Sequence, residues 1–139
     1  MSPRYLPTDM PDVVIPQRKI SETILDFGTP VLHDLTQDTP IEIVRASFNI
    51  AIIVWNAHVM AMPVWNAPQV LEQLQALLET PAAAPQMIEA YHELSARRRE
   101  RFANDPRTVG QWDVSIIPNQ GLRLRCDAHV PPSLMPLQA

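Results

Sequence analysis

The longest uncharged stretch of the chain runs from Ala46 to Leu71 and contains no Asp, Glu, Lys or Arg. Its most apolar part, residues 50–62, is shorter than the roughly 20 apolar residues that a transmembrane helix needs. A helix that is apolar on nearly every face must instead be surrounded by other elements of a fold. We therefore expect a central core helix here, with Thr39 as its N-cap, Glu42 completing a Thr-x-x-Glu capping box, and its end before Pro63.

The tetrapeptide Val-Trp-Asn-Ala occurs twice in this stretch, at residues 54–57 and 64–67. The first copy falls within the predicted core helix, so Trp55 should be buried and its indole N–H should have a hydrogen-bond partner. In the second copy, Asn66 is a good N-cap for a following helix, and Trp65 just before it is placed to pack on that helix. We interpret the repeat as coincidental and expect Trp65 to be the tryptophan that is available to a partner.

Helical spacing of apolar residues extends on both sides of the central helix. Residues 21–35 carry an apolar stripe that Gly28 and Pro30 interrupt, which predicts a kink or two short helices. An amphipathic helix is predicted after Asn66, and Pro85 at a first helical position predicts another that reaches about residue 103. The predicted core-facing residues of the helix after Asn66 are Val70, Leu71, Leu74, Leu77 and Leu78.

The pattern changes to a period of two near the C-terminal end, in residues 108–117 and 122–130. The intervening Pro-Asn-Gln-Gly is a loop of about four residues, so these segments predict a β-hairpin. The face predicted to pack on the helices carries Trp112, Val114 and Ile116 from the first strand and Leu122, Leu124, Cys126, Ala128 and Val130 from the second. The opposite face of the second strand carries Arg123, Arg125, Asp127 and His129.

Together these patterns predict an α+β fold, a compact bundle of about four helices followed by a C-terminal β-hairpin packed on it. A chain of 139 residues, 46% of them hydrophobic, is long enough for one domain with its own core. We place a proline-punctuated N-terminal arm at residues 1–19 and a single globular domain at residues 20–131. Within it the helices reach about residue 103 and the hairpin occupies about 108–130, and residues 132–139 form a short tail.

Composition rules out several kinds of site. Cys126 is the only cysteine, so the chain can form neither an internal disulfide nor a thiolate zinc centre, and a reducing cytoplasm suits it. The three glycines are isolated from one another, which argues against a glycine-rich phosphate loop. A net charge of −4 gives no general attraction to nucleic acid or anionic membranes. We expect no metal, no cofactor and no membrane partner.

The histidines and the cysteine offer weak catalytic candidates. Glu89 and His92 match a Glu-x-x-His carboxylate motif, but a di-iron site needs a second copy, which the sequence lacks. His58 lies on the apolar helix and is expected to be a hydrogen-bonded core histidine. Cys126 falls on the inward face of its strand, opposite in parity to His129, so we interpret it as a structural residue.

Arginines concentrate in the second half of the chain, above all in Arg-Arg-Arg-Glu-Arg at residues 97–101. One stripe of a helix would carry, at i, i+4 spacing, Glu89, Glu93, Arg97 and Arg101, which favours ion pairs within the helix. Arg98 flanks apolar residues and should extend its head to solvent or pair with an acid from the N-terminal half. The alternative is a binding surface, for which the candidate residues are Trp65, Arg97, Arg98, Arg101, Arg123 and Arg125.

Missing catalytic motifs, small size and a proline-rich arm favour a non-catalytic soluble binding protein that acts by protein–protein interaction in the cytoplasm. It would be an adaptor, a regulatory subunit or an immunity-like subunit, and its partner would be another protein or a second copy of the chain. A second hypothesis is a nucleic-acid-binding module that uses the arginines of the fourth helix and the hairpin. A third is an enzyme with an unrecognised site around His92, which would require a pocket that gathers other polar groups.

Overall fold

Five α-helices precede a two-stranded antiparallel β-hairpin in the computed structural model, which describes residues 15–134. The helices are α1 (Ile20–Phe27), α2 (Thr29–Leu32), α3 (Ile41–Met60), α4 (Gln69–Leu78) and α5 (Pro85–Arg101). The strands are β1 (Thr108–Ile117) and β2 (Gly121–His129), followed by a short 3-10 helix at Pro132–Leu134. The predicted α+β arrangement is confirmed. Residues 1–14 of the predicted arm and 135–139 of the predicted tail lie outside the described residues.

The predicted break in the first helical stretch is confirmed at Gly28, which separates α1 from α2. A Cβ atom at this position would meet Leu32 Cδ1 at 2.7 Å and Ala51 Cβ at 3.2 Å. Gly28 therefore lets α1, α2 and α3 approach one another closely. The buried face of α1 is formed by Ile20, Thr23, Ile24 and Phe27.

α3 is the central helix and contacts every other helix of the bundle as well as β1. Its large buried residues are Val44, Phe48, Ile52, Val54, Trp55 and Val59. The helix begins at Ile41, and the predicted capping box is wrong. Thr39 Oγ1 accepts a hydrogen bond from the N–H of Thr36 at 2.9 Å, so this hydroxyl stabilises the preceding turn instead of the helix end.

One face of α3 is uncovered, whereas the sequence predicts a helix surrounded on every side. Ile43 is 53% exposed and Ile53 is 45% exposed. By length and composition α3 could cross a membrane, yet 44% of its most apolar window is buried inside the fold. The uncovered side of α3 is an apolar surface.

The turn between α3 and α4 differs from the prediction. Asn66 is not the N-cap of α4, which begins only at Gln69. Asn66 has a φ of 54°, in the left-handed region that asparagine tolerates better than most residues. Its N–H donates to Met62 O at 2.8 Å, so Asn66 closes the turn after α3 and does not start the next helix.

α4 packs on the core with a narrower face than predicted. Leu71, Leu74 and Leu78 pack against the core. Leu77, predicted to face the core, is 65% exposed. The helix lies at the edge of the bundle, where one side of its apolar face has no neighbour among the described residues.

The hairpin register confirms the predicted faces between the bulge and the loop, whereas Ala128, predicted to pack on the helices, is exposed beyond the bulge. The directly opposed residues on the packed face are Trp112 and Cys126, Val114 and Leu124, and Ile116 and Leu122. Val114 and Leu124 are buried against the helices. The loop comprises residues 118–120, one fewer than predicted, and Asn119 and Gly121 adopt the positive φ values that such tight loops require.

Three aromatic rings bring α1, α3 and the end of α5 together in the core. Phe27 and Trp55 meet edge to face with ring centroids 5.1 Å apart. Phe102 lies 5.8 Å from each of them, also edge to face. This geometry suits the quadrupoles of the rings and stabilises each pair by about 0.5–1.5 kcal/mol beyond the burial of its area. It fixes α1 against the C-terminal end of α5.

Candidate functional site

The segment Asp105–Val109, between α5 and the start of β1, is buried along its whole length. Trp55 Nε1 donates to Arg107 O at 2.8 Å, and Trp65 Nε1 donates to Pro106 O at 2.7 Å. Both copies of Val-Trp-Asn-Ala therefore bind adjacent carbonyl groups of one segment. The interpretation of the repeat as a coincidence misses this shared role.

Asn56, in the first copy, also binds the segment Asp105–Val109. Its Nδ2 donates to Val109 O at 2.9 Å, and its Oδ1 accepts from Val109 N at 2.7 Å. The side-chain amide thus replaces a neighbouring strand next to the bulge between Val109 and Trp112. Trp65, predicted to be available to a partner, is half-buried and holds the same segment, so its observed role is structural.

Asp105 and Arg107 form a buried ion pair across Pro106. Arg107 Nε donates to Asp105 Oδ1 at 2.9 Å and Nη2 donates to Oδ2 at 2.7 Å, so the pair is bidentate. Arg107 also donates to Arg18 O at 2.6 Å and to Thr23 Oγ1 at 3.1 Å, which ties β1 to the start of α1. The only sequence signal of this pair is an acid and an arginine on either side of a proline.

Arg98, one of the predicted binding residues, is only 3% exposed. Its guanidinium lies over the Trp55 ring at 4.6 Å, and Nη2 donates to Asp105 O at 2.8 Å. Burial lowers the pKa of Arg98 to about 10, against an opposing contribution from Asp105, so the group is cationic at pH 7. Arg98 therefore stabilises the core and does not belong to an accessible surface.

Arg97 closes the carboxyl end of α1. Its Nε donates to Phe27 O at 3.1 Å and its Nη2 donates to Asp26 O at 2.6 Å, which satisfies carbonyl groups that a helix leaves unpaired at its end. Nη2 also lies 3.1 Å from Asp26 Oδ1. The expected pair within α5 is wrong, because Arg97 turns to Asp26 and not to Glu93.

Arg101 lies one turn further along α5 and faces the same carboxylate, with Nη2 3.9 Å from Asp26 Oδ2. Arg18 Nη1 donates to the same oxygen, Oδ2, at 3.2 Å. Arg18, Arg99 and Arg101 line a cavity of about 460 Å³. The side chains of Arg18 and Arg101 are 50% and 54% exposed, so Arg101 does reach solvent as predicted for a binding residue.

Arg123 and Arg125 are exposed on the outer face of the hairpin. They line a second cavity, of about 590 Å³, together with Lys19. Asp113 lies directly opposite Arg125 and also lines this cavity, so positive charge is partly balanced there. Of the arginines predicted to form one surface, Arg101 lines the first cavity and Arg123 and Arg125 line the second, whereas Arg97 and Arg98 line neither.

An apolar groove of about 370 Å³ lies between α3, α4 and the start of α5, and none of its lining residues is charged. The aliphatic residues that line it include Ile50, Ile53, Leu74, Leu77, Leu78 and Met87. Ile53, Leu77 and Met87 are among the exposed large hydrophobic residues. The sequence pattern does not reveal this groove, because periodicity shows which residues share a face but not whether a neighbour covers it.

His58 is confirmed as a hydrogen-bonded histidine of the interior. Its Nε2 lies 2.8 Å from Ser95 Oγ, and its ring stacks on Tyr91 with centroids 6.3 Å apart. Burial, reinforced by the positive charges of Arg98 and Arg99, lowers the pKa of His58 to about 4. The imidazole is therefore neutral in the folded protein at pH 7.

This lowered pKa predicts a loss of stability in acid. Unfolded His58 titrates near 6.5, so between about pH 6.5 and pH 4 the unfolded chain binds a proton that the folded chain resists. The free energy of unfolding from urea titrations should fall as the pH decreases through this interval, and less steeply in H58Q. His92 is exposed, so H92Q controls for the loss of an imidazole. Equal slopes in the wild type and H58Q would contradict the assignment.

The remaining chemical candidates do not assemble a site. His92 is exposed and lines none of the three cavities described above. Burial and the nearby Asp127 raise the pKa of the Cys126 thiol to about 11, which keeps it protonated at neutral pH. Within residues 15–134, no three His, Cys, Asp or Glu side chains are grouped to hold a metal ion.

Comparisons with known proteins give no relative: no family model, no curated protein and no solved structure matches the chain.

Proposed function

We propose that this protein is a small non-catalytic binding protein that acts by protein–protein interaction, with the groove between α3 and α4 receiving an apolar helix of a partner protein. The strongest support for a helix-binding groove is the uncovered apolar side of α3. Its stripe, Ile43, Ala46, Ile50 and Ile53, follows i, i+3, i+7 and i+10 spacing, which places the four residues on one side of the helix. The stripe leads into the groove, and large continuous apolar surfaces on soluble proteins commonly mark interaction sites.

The extent of the stripe favours a helix over a small apolar molecule. Ile43 is exposed but does not line the groove, so a molecule confined to the groove would leave it in water. Between Ile43 and Ile53 the axis of α3 rises about 15 Å, close to three turns of a partner helix. A helix with apolar residues at i, i+3 or i+4, i+7, and i+10 or i+11 would cover the whole stripe.

The absence of charge defines the chemistry of the inserted face. Neither the groove lining nor α3 from Ala46 onward carries Asp, Glu, Lys or Arg. A charged side chain inserted here would lose its hydration without gaining a partner. The partner helix should therefore present an uncharged, mainly aliphatic face to Ile53, Leu77 and Met87.

A carboxylate placed in the groove should abolish binding and leave the fold intact. Leu77 is mostly exposed, so L77E should change the free energy of unfolding by no more than about 0.5 kcal/mol in urea titrations. Q73E adds the same charge to α4 at an exposed position outside the groove and is the matched control. A large loss of stability in L77E alone would show that Leu77 belongs to the core and would contradict a free groove.

The partner can be captured with a photo-crosslinking residue, p-benzoylphenylalanine, in place of Ile53 in cells that express the protein. We expect an adduct with a different protein, in which the crosslinked peptide has apolar residues at helical spacing. L77E should remove this adduct, and Q73E should retain it. No protein adduct, an adduct with a lipid or small molecule, or an adduct only with a second copy of the chain would each overturn the assignment of the groove.

A further inference from the structure

Three arginines surround the single carboxylate of Asp26 at the end of α1. Arg97 lies 3.1 Å from Asp26 Oδ1. Arg18 and Arg101 lie 3.2 Å and 3.9 Å from Oδ2. Three positive charges thus face one carboxylate, and the carboxyl ends of α1 and α5 each add a partial negative charge of about one half. An excess of roughly one positive charge remains at this place.

Two of these arginines are available to a ligand. Arg97 is held by the carbonyl groups at the end of α1. Arg18 and Arg101 are half-exposed and line the 460 Å³ cavity, and the 3.9 Å between Arg101 and Asp26 is longer than a hydrogen bond. Two acids also line this cavity. Asp105 is already bonded to Arg107, which leaves Glu100 as the opposing charge.

We propose that this cavity binds an aspartate or glutamate side chain from an acidic segment of a protein, with Arg18 and Arg101 as its ligands. The planar guanidinium group matches a carboxylate with two parallel hydrogen bonds. A nucleic-acid backbone would need positive charge along several phosphates, whereas the net charge of −4 and Glu100 at this cavity oppose a long polyanion. The site lies at the opposite end of α5 from the apolar groove and does not depend on it.

Fluorescence anisotropy with a fluorescein-labelled, glutamate-rich peptide tests this site. We expect binding at low salt that weakens with added sodium chloride and that falls at least about fivefold in R18Q/R101Q. The same peptide with glutamine in place of glutamate should not bind. R45Q removes an exposed arginine that lines none of the three cavities and controls for the loss of a positive charge, so it should retain binding.

D26N tests the same site with the opposite sign. It removes the carboxylate that competes for Arg18 and Arg101, so the affinity for the peptide should rise about threefold or more. D26N therefore tests the site even if circular dichroism shows that R18Q/R101Q is not folded. The proposal is overturned by no peptide binding at low salt, by an equal loss in R45Q, by an unchanged or lower affinity in D26N, or by tighter binding of a single-stranded oligonucleotide than of the peptide.

Discussion

R107M should lower the free energy of unfolding by about 3–5 kcal/mol, because Asp105 would stay buried without its counter-ion. The substitution also removes the hydrogen bonds from Arg107 to Arg18 O and Thr23 Oγ1, which join β1 to the start of α1. A small domain is stabilised by only about 5–15 kcal/mol in total. Urea denaturation followed by circular dichroism should therefore show a large shift in midpoint.

Two further variants separate the ion pair from the loss of an arginine. R45M removes an exposed arginine of α3 and should change the free energy of unfolding by no more than about 0.5 kcal/mol. D105N/R107M removes both charges, so its cost in unfolding free energy should be smaller than the summed costs of D105N and R107M. If R107M lowers the free energy of unfolding by less than about 1 kcal/mol, the claim that the Asp105–Arg107 pair stabilises the fold is contradicted.

W55A should cost about 3–5 kcal/mol, the second large effect, because it removes a fully buried ring from the core. That ring contacts Phe27 and Phe102 edge to face and lies under the guanidinium of Arg98. Its indole N–H also satisfies Arg107 O, so a buried carbonyl group would lose its partner. The same urea titration measures this loss.

W65A, in the second copy of Val-Trp-Asn-Ala, is the matching substitution to W55A in the first copy. Trp65 makes the equivalent hydrogen bond to Pro106 O but is only half-buried, so we expect a smaller cost of about 1–3 kcal/mol. W55F keeps most of the ring area and removes the donor, which isolates the hydrogen-bond contribution at the first copy. A larger loss in W65A than in W55A would contradict the burial order of the two tryptophans.

Elements with local causes are predictable from this sequence. Alternation in residues 108–117 identifies the packed face of β1, because side chains in a strand point to opposite sides in turn. Pro85 correctly predicts the start of α5, since proline fits the first turn of a helix. Gly28 correctly predicts the break between α1 and α2.

Hydrogen-bond partners that depend on distant segments are not predictable from local sequence patterns. Thr39 and Asn66 both have side chains suited to an N-cap, but the path of the connecting turns gives each a different use. Arg107 binds a carbonyl 89 residues earlier, at Arg18, and no local pattern shows that approach.

The candidate site is predictable in part. Arg101, Arg123 and Arg125 are exposed, as a binding surface requires, whereas Arg98 and Trp65 hold the interior together. The apolar pattern of α3 correctly indicates the central helix of the core. It does not show that the chain leaves one side of this helix uncovered, which is why the groove emerges only from the fold.

Methyl-resolved nuclear magnetic resonance tests the role of the groove most directly. The protein would carry isotope-labelled Ile, Leu and Met methyl groups and be titrated with a synthetic peptide that spans the crosslinked partner helix. We predict saturable shifts of the groove methyl groups of Ile50, Ile53, Leu77 and Met87, and none at Leu124 under the hairpin. Shifts confined to the hairpin or to the cavity at Arg101, or no shift at a saturating peptide concentration, would contradict the proposal that this groove binds a protein helix.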